Sequence, residues 1–481
     1  MEILLGHFSL HPEVPLLPSS LSIALDRSDS RTLPVQIADR IRTSISDRLL
    51  PEESRLPSSR ALSAEIGVAR GVVEHAFDQL IAEGWLESRR GSGTYVRRLP
   101  PPGSSPHRSS PRKCGTHPAD STLLRLATGT PWIPPHLSAA WKRAWRDAGT
   151  APHPDSYPDP LGEPSLRAAV AQLLGRARGL HTDPDSIVIT TGSIHGLGLA
   201  LSALAEPVGV GAPVLAHENP GYRVATTTAL RSGWSVFDVA VDGDGIETDD
   251  LDAAPDSTRA VYVTPSHQHP TGGLLPVGRR RALADFARTR NVMILEDDYD
   301  SEFRYDVAPL PTVAELAPDR TVYLGTVAKT FGGGIRLGWL VAPPHVVDEI
   351  VSVRIDTGDY PSLPVQHAVA SLLRDGEWDR TVRAARRRYR ERDRRITDAL
   401  APYGELRGVG AGMHTTLLLP ARVAAEVARL AARRGIDVDT LEKSTRSPSP
   451  VTGLIVGYGS LSEDQLTYGL DVLVDALNNV S

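Results

Sequence analysis

Lysine is the scarcest charged side chain in this sequence, and one of its few lysines stands where covalent chemistry is possible. Of 52 basic residues only four are lysines, at positions 113, 142, 329 and 443. Lys329 lies in TVYLGTVAKTFGGGIRLGW, just after an apolar run typical of a strand and before a glycine-rich loop. A confined, partly desolvated amine can form a Schiff base, which a guanidinium cannot. Lys329 is therefore the first candidate for a covalent role.

A run of acids follows a second apolar segment. In VMILEDDYDSEFRY the predicted strand Val292–Leu295 delivers Glu296, Asp297, Asp298 and Tyr299 at its carboxyl end. A carboxylate beside a pyridine nitrogen keeps that nitrogen protonated, which makes pyridoxal 5'-phosphate (PLP) an electron sink. A metal site is the alternative, but the acids lack the clustered His and Cys spacing of zinc sites, and we expect no metal.

A third segment has the pattern of an anion site. In IVITTGSIHGLGLALSAL a predicted strand gives way at Thr191, Gly192 and Ser193 to a predicted helix. The free backbone amides and the dipole at a helix start attract a phosphate group. Many strand-to-helix turns share this pattern, so alone it is weakly specific. It supports an anion site only in combination with Lys329 and the acidic run.

The elements that must position these residues alternate between strands and helices from Leu123 onward. Such alternation predicts a parallel sheet, in which ligands bind at the carboxyl ends of the strands. We therefore assign residues 123–481 to one α/β effector domain, and we see no internal repeat. The clearest predicted strands are Ser186–Thr190, Ala260–Thr264, Val292–Leu295 and Thr321–Gly325.

Residues 1–98 have a different pattern, with short amphipathic helices followed by a strand pair. Two helices joined by a short glycine turn predict a helix-turn-helix, and the strand pair predicts a wing. The predicted elements are helix Val35–Ile45, a helix from the N-cap Ser59 through Ile66, the Gly67 turn, helix Ala69–Ala82 and the wing Trp85–Val96.

Residues 99–122, LPPPGSSPHRSSPRKCGTHPADST, separate the two domains. A segment so rich in Pro and Ser cannot build a core and is typical of a semi-extended linker. The net charge is −6, yet between Ser88 and Ala119 there are basic residues and no acidic one. This positive stretch favours contact with nucleic acid, and a solvated linker is the alternative.

The bulk composition narrows the class of protein further. The single cysteine, Cys114, excludes an internal disulfide and is typical of a cytoplasmic protein. No apolar run reaches the roughly 18–20 residues of a membrane span, so we expect no membrane contact.

Two parts of the sequence resemble known families. The stretch LPSSRALSAEIGVAR…VVEHAFDQLIAEGWLESRRGSGTYV resembles the GntR family of winged helix-turn-helix regulators. Behind it SYPDPLGEPSLRAAVA, TTGSIHGL, HENPGY, TPSHQHPTG, EDDYDSEFRY, GTVAK and GIRLGW follow the order of the fold-type I aminotransferases. The combination is similar to the MocR subfamily of GntR regulators. It implies a winged helix-turn-helix joined by a linker to an α/β fold-type I PLP-dependent aminotransferase-like domain.

The GntR resemblance implies a DNA interface. By this resemblance Arg60 and Arg70 contact DNA phosphates or bases, and a glycine-rich wing enters the minor groove. The sequence departs from the family at Ala69 and Val72, where Ser and Thr are usual, and a winged helix used for protein contacts is the alternative. The wing residues assigned to DNA are Arg89, Arg90, Gly91 and Gly93.

The aminotransferase resemblance implies a role for each pocket residue. Lys329 forms the internal aldimine with PLP, Asp297 pairs with the pyridine nitrogen, and Tyr299 lies near the ring hydroxyl. Tyr222 stacks on the ring, and His269 occupies a position where aminotransferases carry Asn. The residues assigned to the phosphate are Gly192, Ser193, Ile194, Thr326 and Arg336, with Tyr157 reaching the phosphate of the partner subunit in a homodimer.

Taken together, the resemblance implies a transcription regulator that binds double-stranded operator DNA. Its effector would be PLP, or an amino acid or amine that condenses with PLP. The alternative is an active aminotransferase with an appended DNA-binding domain, although a catalyst does not need that domain. A PLP-storage protein is a third class, against which the wing arginines argue. The candidates for an effector carboxylate, left open by the sequence, are Arg407, His414 and Arg446.

Overall fold

The computed structural model describes residues 23–89, 91–98, 123–152, 154–205, 211–305 and 311–480. The chain divides into two units, residues 1–120 and 121–481. Arg90, Cys114 and the predicted linker 99–122 lie outside the described residues. Within the described ranges, no helix combines the length and the apolar character needed to cross a membrane.

The first unit is a three-helix core with a two-stranded antiparallel wing. Ile37, Ile41, Leu62, Val73 and Leu80 recur at helical spacing and are fully buried, so the helices close on one another through these apolar faces. The three predicted helices and the wing strands are confirmed. Their bounds are α1 Leu33–Ser46, α2 Ser59–Ile66, α3 Arg70–Ala82, β1 Leu86–Arg89 and β2 Gly93–Val96.

One detail of the predicted helix-turn-helix is wrong. Ser58, rather than Ser59, is the N-cap of α2, because its side chain accepts a hydrogen bond from the backbone N–H of Ala61 at 3.2 Å. The turn that follows α2 is made by Gly67, whose φ of 69° lies in the left-handed region that glycine adopts without strain.

The second unit is built around an eight-stranded mixed sheet, in the order β4-β11-β10-β9-β8-β5-β6-β7. The predicted strands are confirmed within a few residues at each end. The four strands at its centre are buried, apart from the half-buried Arg259 in β8, as expected for strands covered on both faces by helices. The strands of this sheet are β4 Ile187–Thr190, β5 Val214–Asn219, β6 Ser235–Asp242, β7 Gly245–Ile246, β8 Thr258–Val263, β9 Met293–Asp297, β10 Thr321–Thr326 and β11 Gly338–Val341.

Strand direction decides where the polar residues of this unit meet. Strands β10, β9, β8, β5 and β6 pair in parallel, and β4 runs the same way because β11 is antiparallel to both β4 and β10. Their carboxyl ends therefore share one edge. The loops after β4, β5, β8, β9 and β10 hold the motifs singled out in the sequence, so the fold gathers them at that edge.

A second, four-stranded sheet of order β12-β13-β16-β15 and a short parallel pair β14-β3 complete this unit. The remaining strands are β3 Leu124–Arg125, β12 Leu406–Arg407, β13 His414–Leu418, β14 Ile436–Asp437, β15 Asp439–Thr440 and β16 Gly453–Gly457. The helices are α4 Ala139–Thr150, α5 Pro164–Arg178, α6 Ser193–Leu204, α7 Arg223–Arg231, α8 Val277–Arg290, α9 Val313–Leu316, α10 Ala328–Phe331, α11 Pro344–Thr357, α12 Leu363–Arg374, α13 Glu377–Leu400, α14 Ala421–Arg433 and α15 Glu463–Val480.

A buried ion pair anchors the acidic loop that follows β9. The Arg178 guanidinium at the end of α5 lies 2.8 Å from the Asp298 carboxylate, and both side chains are almost completely buried. Tyr323 and Ser301 donate hydrogen bonds to the same carboxylate at 2.6 and 2.8 Å. Asp298 therefore anchors the loop, and this fixes the position of the residues beside it.

Loss of Arg178 should therefore destabilise the second unit strongly. We expect Arg178→Ala to lower the free energy of unfolding by about 3–5 kcal/mol, because it leaves a buried carboxylate without its cation. The matched control is Arg176→Ala on the same helix, whose ion pair with Asp379 is half-exposed, and we expect a cost below about 1 kcal/mol. Urea denaturation measures both, and equal losses would contradict the anchoring role.

Candidate functional site

A cavity of about 270 Å³ opens at the carboxyl edge of the large sheet. Every cofactor-binding residue predicted from the sequence lines it, except Tyr157. The loops after five different strands contribute to its wall, which is the arrangement expected for a ligand site in an α/β sheet. The lining residues are Thr128, Gly129, Gly192, Ser193, Ile194, Tyr222, Tyr262, Thr264, His269, Asp297, Tyr299, Thr326, Ala328, Lys329, Gly333 and Arg336.

Lys329 reaches the cavity from α10, one short turn after β10. Its Nζ donates a hydrogen bond to the carbonyl oxygen of Gly129 at 2.6 Å. A side chain at position 129 would place a Cβ 2.8 Å from that nitrogen and displace the amine, and the φ of 70° at Gly129 also favours glycine. Burial lowers the pKa of Lys329, and the carboxylates of Asp300 and Asp297 oppose that shift. The amine is therefore easier to deprotonate than an ordinary lysine.

Asp297, the last residue of β9, offers one free carboxylate oxygen. Its Oδ2 accepts a hydrogen bond from the Tyr262 hydroxyl at 2.6 Å, whereas its Oδ1 has no hydrogen-bond partner among the described residues. Burial raises the pKa of Asp297 to about 7. A buried acceptor without a partner is costly, so this position favours a ligand that brings a positively charged N–H group.

Another part of the cavity wall has the features of an anion site. Gly192 is the N-cap of α6 and has a φ of 126°, and the first backbone N–H groups of the helix, at Ser193 and Ile194, have no partner within the helix. The Arg336 guanidinium lies over Gly192, about 3.6 Å from where a Cβ would be. Arg336 forms no ion pair with any described residue. A cation facing a helix N-terminus is an arrangement that favours binding of an anion such as phosphate.

Aromatic side chains form a further part of the cavity wall. Tyr222 and His269 contact each other edge to face, with ring centroids 5.2 Å apart. Tyr299 donates a hydrogen bond to the backbone oxygen of His267 at 3.1 Å. Burial raises the pKa of Tyr222 to about 12 and lowers the pKa of His269 to about 3, so both rings are neutral. They can stack on a flat, apolar ring without adding charge.

The sequence did not point to several residues of this wall. Thr128 and Gly129 come from a loop before α4 that carries no motif, and Tyr262 lies inside a buried strand where its side chain looks like core. Thr264 donates to the buried Glu218 carboxylate at 2.7 Å, and burial raises the pKa of Glu218 to about 7. Only contacts between distant segments could have identified them.

The residues proposed to contact an effector carboxylate lie elsewhere. Arg407 pairs with Glu405 at 2.9 Å, and Arg446 pairs with Asp238 at 2.8 Å. His414 is buried and donates towards the Pro270 carbonyl at 3.2 Å. None of the three lines the cavity. Among the described lining residues, the only basic side chains are those of Lys329 and Arg336.

Tyr157 is the one predicted cofactor residue outside the cavity. Its side chain is 81% exposed and stacks on Tyr360, with ring centroids 5.5 Å apart. A tyrosine held this way on the surface is available to a second chain. Its predicted role towards the phosphate of a partner subunit stays a prediction.

The first unit presents a second candidate site, on α2, α3 and the wing. Arg60 and Arg70 are exposed on the two helices of the helix-turn-helix. Arg89 lies over the Tyr95 ring, 4.5 Å from its centroid. Gly91 and Gly93 take φ values of 73° and 120°, which only glycine adopts easily. The predicted DNA residue Arg90 lies outside the described residues.

Acidic partners moderate the charge of this surface. Arg70 pairs with Glu74 one turn along α3 at 2.8 Å, and Arg89 pairs with Glu87 at 2.6 Å. A carboxylate on the second helix of a helix-turn-helix repels phosphate but can accept from a base edge. One arginine that the sequence analysis missed, Arg55, lies against the wing, 3.0 Å from where a Cβ at Gly93 would be.

Comparison with protein families gives two matches, one for each unit. Residues 33–96 match "Bacterial regulatory proteins, gntR family", and residues 121–441 match "Aminotransferase class I and II". These matches confirm the fold class predicted from the sequence.

Whole-length relatives share both units. The chain is 35% identical over 465 residues to the HTH-type pyridoxine biosynthesis transcriptional regulator PdxR of Corynebacterium glutamicum, covering 96% of this chain and 99% of that protein. It is 30% identical over 476 residues to the "Probable rhizopine catabolism regulatory protein MocR" of Rhizobium meliloti, covering 94% and 95%.

Among solved structures, the second unit is similar to an archaeal alanine:glyoxylate aminotransferase. The TM-score is 0.66 at 23% identity, over 74% of this chain and 91% of that one. A Thermus thermophilus α-aminoadipate aminotransferase, LysN, gives a TM-score of 0.64 at 24% identity, over 75% and 93%. At this identity the likeness shows the fold alone.

The lowered pKa of Lys329 can be measured by labelling. We treat the protein with a small amine-reactive reagent and measure the labelling of each residue by mass spectrometry. We expect Lys329 to be labelled down to a lower pH than the free side-chain amine of Nα-acetyl-lysine. The reason is that burial leaves more of this amine unprotonated. Lys443, which is exposed and paired with Asp439 at 2.7 Å, is the internal control for reagent quality. A Lys329 profile shifted to higher pH than the free amine would contradict the assignment.

Proposed function

The chain belongs to the MocR-type branch of the GntR bacterial regulators, and from that membership we propose that it is a PLP-responsive transcription regulator. In this proposal the first unit binds operator DNA, and the second binds PLP at Lys329 and changes the behaviour of the first. Because its target is chromosomal DNA, we place it in the bacterial cytoplasm. The whole-length relatives bear regulator names, which supports this role over that of a catalyst.

The observation that carries the proposal is that three unlike groups share the wall of one cavity. A buried amine, a buried carboxylate oxygen without a partner and an unpaired guanidinium at a helix N-terminus occupy its wall. PLP carries an aldehyde, a pyridine nitrogen and a phosphate, so each group on the protein has a complement on the cofactor. The residues present therefore fit PLP.

Each side chain then has a defined task. Lys329 supplies the amine that attaches the aldehyde covalently, and Asp297 holds a proton on the pyridine nitrogen through Oδ1. Arg336, with Thr326 and the amides at the start of α6, binds the phosphate. Tyr222 covers the ring face, and Tyr299 and His269 border the ring hydroxyl. When bound, PLP supplies a reactive aldehyde and an electron-withdrawing ring.

We further propose that PLP itself is the effector. An α-amino acid bound to PLP needs a second cation for its carboxylate, and the described lining offers Arg336 alone once Lys329 is committed. The C. glutamicum relative is named for pyridoxine biosynthesis, which agrees with control of vitamin B6 supply by its product. An amino acid as effector, or an active aminotransferase acting on amino acids, is less favoured for the same reason.

DNA binding in this proposal relies on the helix-turn-helix and the wing. Arg70 at the start of α3 enters the major groove, while Arg60, Arg89 and Arg90 contact phosphates or the minor groove beside Gly91 and Gly93. A homodimer, with Tyr157 of each chain directed to the other chain's phosphate site, would present two such units to two half-sites. PLP can act only if it binds the DNA-competent and DNA-incompetent arrangements differently.

A visible absorbance spectrum with borohydride, followed by a gel shift on the upstream intergenic DNA, tests the proposal. We expect an absorbance band with PLP that borohydride removes, a band that is absent in Lys329→Ala, and a gel shift that changes with PLP. Lys142→Ala, on an exposed helix face, is the matched control and should keep the band. A band in wild type with no DNA shift under any condition would favour the aminotransferase alternative.

Arg70 is the sharpest test of the DNA interface. We expect Arg70→Ala to weaken operator binding by roughly 1–3 kcal/mol if the guanidinium reads a base. Arg40→Ala, an exposed arginine on α1 away from the helix-turn-helix, is the control and should change affinity little. Fluorescence anisotropy with labelled operator measures both. Equal effects of the two substitutions would mean that α3 is not the reading helix.

A further inference from the structure

A cluster of three buried polar side chains lies beyond the aromatic wall of the cavity. It consists of His267, Asp300 and His414, each 2% exposed or less. The loops after β8 and β9 carry the first two, and His414 begins β13 of the second sheet. One ring nitrogen from each histidine and one carboxylate oxygen of Asp300 lie within 4.8 Å of one another. We call this the His-Asp cluster, and none of its residues lines the cavity.

The backbone contact of His414 fixes which of its ring nitrogens carries the proton. Its Nε2 lies 3.2 Å from the carbonyl oxygen of Pro270, and a carbonyl can only accept a hydrogen bond, so Nε2 carries the proton. The lone pair is then on Nδ1, which is buried and has no partner among the described residues. An imidazole whose outer nitrogen donates to a carbonyl and whose inner nitrogen is free is arranged like a metal ligand.

His267 and Asp300 supply the rest of a donor set. His267 Nδ1 lies 2.9 Å from Asp300 Oδ2, and His267 Nε2 has no partner among the described residues. The His267 and His414 rings have centroids 4.8 Å apart. Two imidazoles on one tetrahedral ion have centroids about 5 Å apart, given metal–nitrogen bonds of about 2.0–2.1 Å. The rings are thus already near the separation that a shared ion requires.

The backbone at Gly412 approaches the His-Asp cluster closely. A Cβ at Gly412 would lie 2.4 Å from the His267 ring and 2.7 Å from the Asp300 carboxylate. Gly412 has a φ of 68°, so the chain here takes a turn that glycine alone adopts easily. From the sequence we expect no metal, because the acids after β9 lack the clustered His and Cys spacing of zinc sites. The fold supplies that spacing from three distant segments.

We propose that His267, His414 and Asp300 bind one divalent transition-metal ion, with Zn²⁺ as the best match. The donors are one nitrogen from each imidazole and one carboxylate oxygen, and water completes the tetrahedron. Two imidazoles favour zinc or its neighbours over Mg²⁺ and Ca²⁺, which prefer oxygen ligands alone. The ion displaces the proton between His267 and Asp300, and that proton leaves to solvent. This site is independent of the proposed PLP function.

Such an ion would tie the edge of the large sheet to the second sheet. His267 and Asp300 belong to the loops that also carry His269 and Tyr299 of the cavity wall, whereas His414 belongs to β13. The Tyr299 hydroxyl donates to the backbone oxygen of His267 at 3.1 Å, so an ion that fixes His267 also fixes a contact of Tyr299 in the cavity wall. The expected result of binding is a more stable second unit.

Metal content of the full-length protein tests the site. The protein, with PLP bound and free PLP removed, is dialysed against a chelator and then titrated with Zn²⁺ alone, with bound zinc measured by mass spectrometry. We expect one zinc per chain in wild type and a rise in the thermal midpoint. His414→Gln and Asp300→Asn should each weaken zinc binding at least tenfold. His181→Gln, which removes an exposed imidazole, should bind like wild type.

Two outcomes would overturn the proposal. One is a wild-type protein that holds no zinc after titration, which would mean that the cluster is a hydrogen-bonded network only. The other is equal zinc binding by wild type and both cluster variants. Co²⁺ substitution in wild type is the second measurement, which needs no variant to fold. Intense tetrahedral bands are expected, and the weak bands of an octahedral, oxygen-only site would contradict it.

Discussion

The carboxylate of Asp297 is the constraint on which the effector domain depends. It ends a fully buried strand, it accepts one hydrogen bond from Tyr262, and its second oxygen has no partner among the described residues. A folded protein bears the cost of such a group only where something else makes use of it. The buried pair of Arg178 and Asp298 fixes the next residue, so the loop cannot relax to hide that oxygen. This acceptor therefore stays in the wall of the cavity that Arg336 and the start of α6 also line.

The charges of the cavity explain why a cofactor-like ligand, and no general anion, fits it. Its wall carries a helix N-terminus with a guanidinium that has no ion pair among the described residues, a carboxylate and neutral aromatic rings. The only other charge on the described lining is the amine of Lys329, whose pKa burial lowers. A ligand that uses all of these groups brings an anion, a cationic ring nitrogen and an electrophile. Few metabolites carry all three, which is why the argument rests on the combination.

Much of this could be predicted from the sequence, and the failures have physical causes. Apolar periodicity gave the helices of the first unit, and buried strands bounded by polar residues gave the sheet edge where Lys329 and Asp297 meet. The N-cap was misplaced by one residue because adjacent serines are chemically equivalent and only the Ala61 contact separates them. Thr128 and Tyr262 were missed because neither stands in a local pattern. Arg407 and Arg446 remained candidates until their ion pairs with Glu405 and Asp238 were seen.

In the proposed regulator the PLP site and the DNA site are coupled, and coupling between two sites is reciprocal. The most direct test is therefore the affinity for PLP, measured by absorbance titration with and without saturating operator DNA. The account predicts a change of at least about fivefold in the PLP dissociation constant, the low end of ordinary allosteric coupling. Arg70→Ala should raise the DNA concentration that this change requires, by the same factor by which it weakens operator binding. An identical dissociation constant with and without DNA would show two uncoupled domains on one chain and would contradict the account.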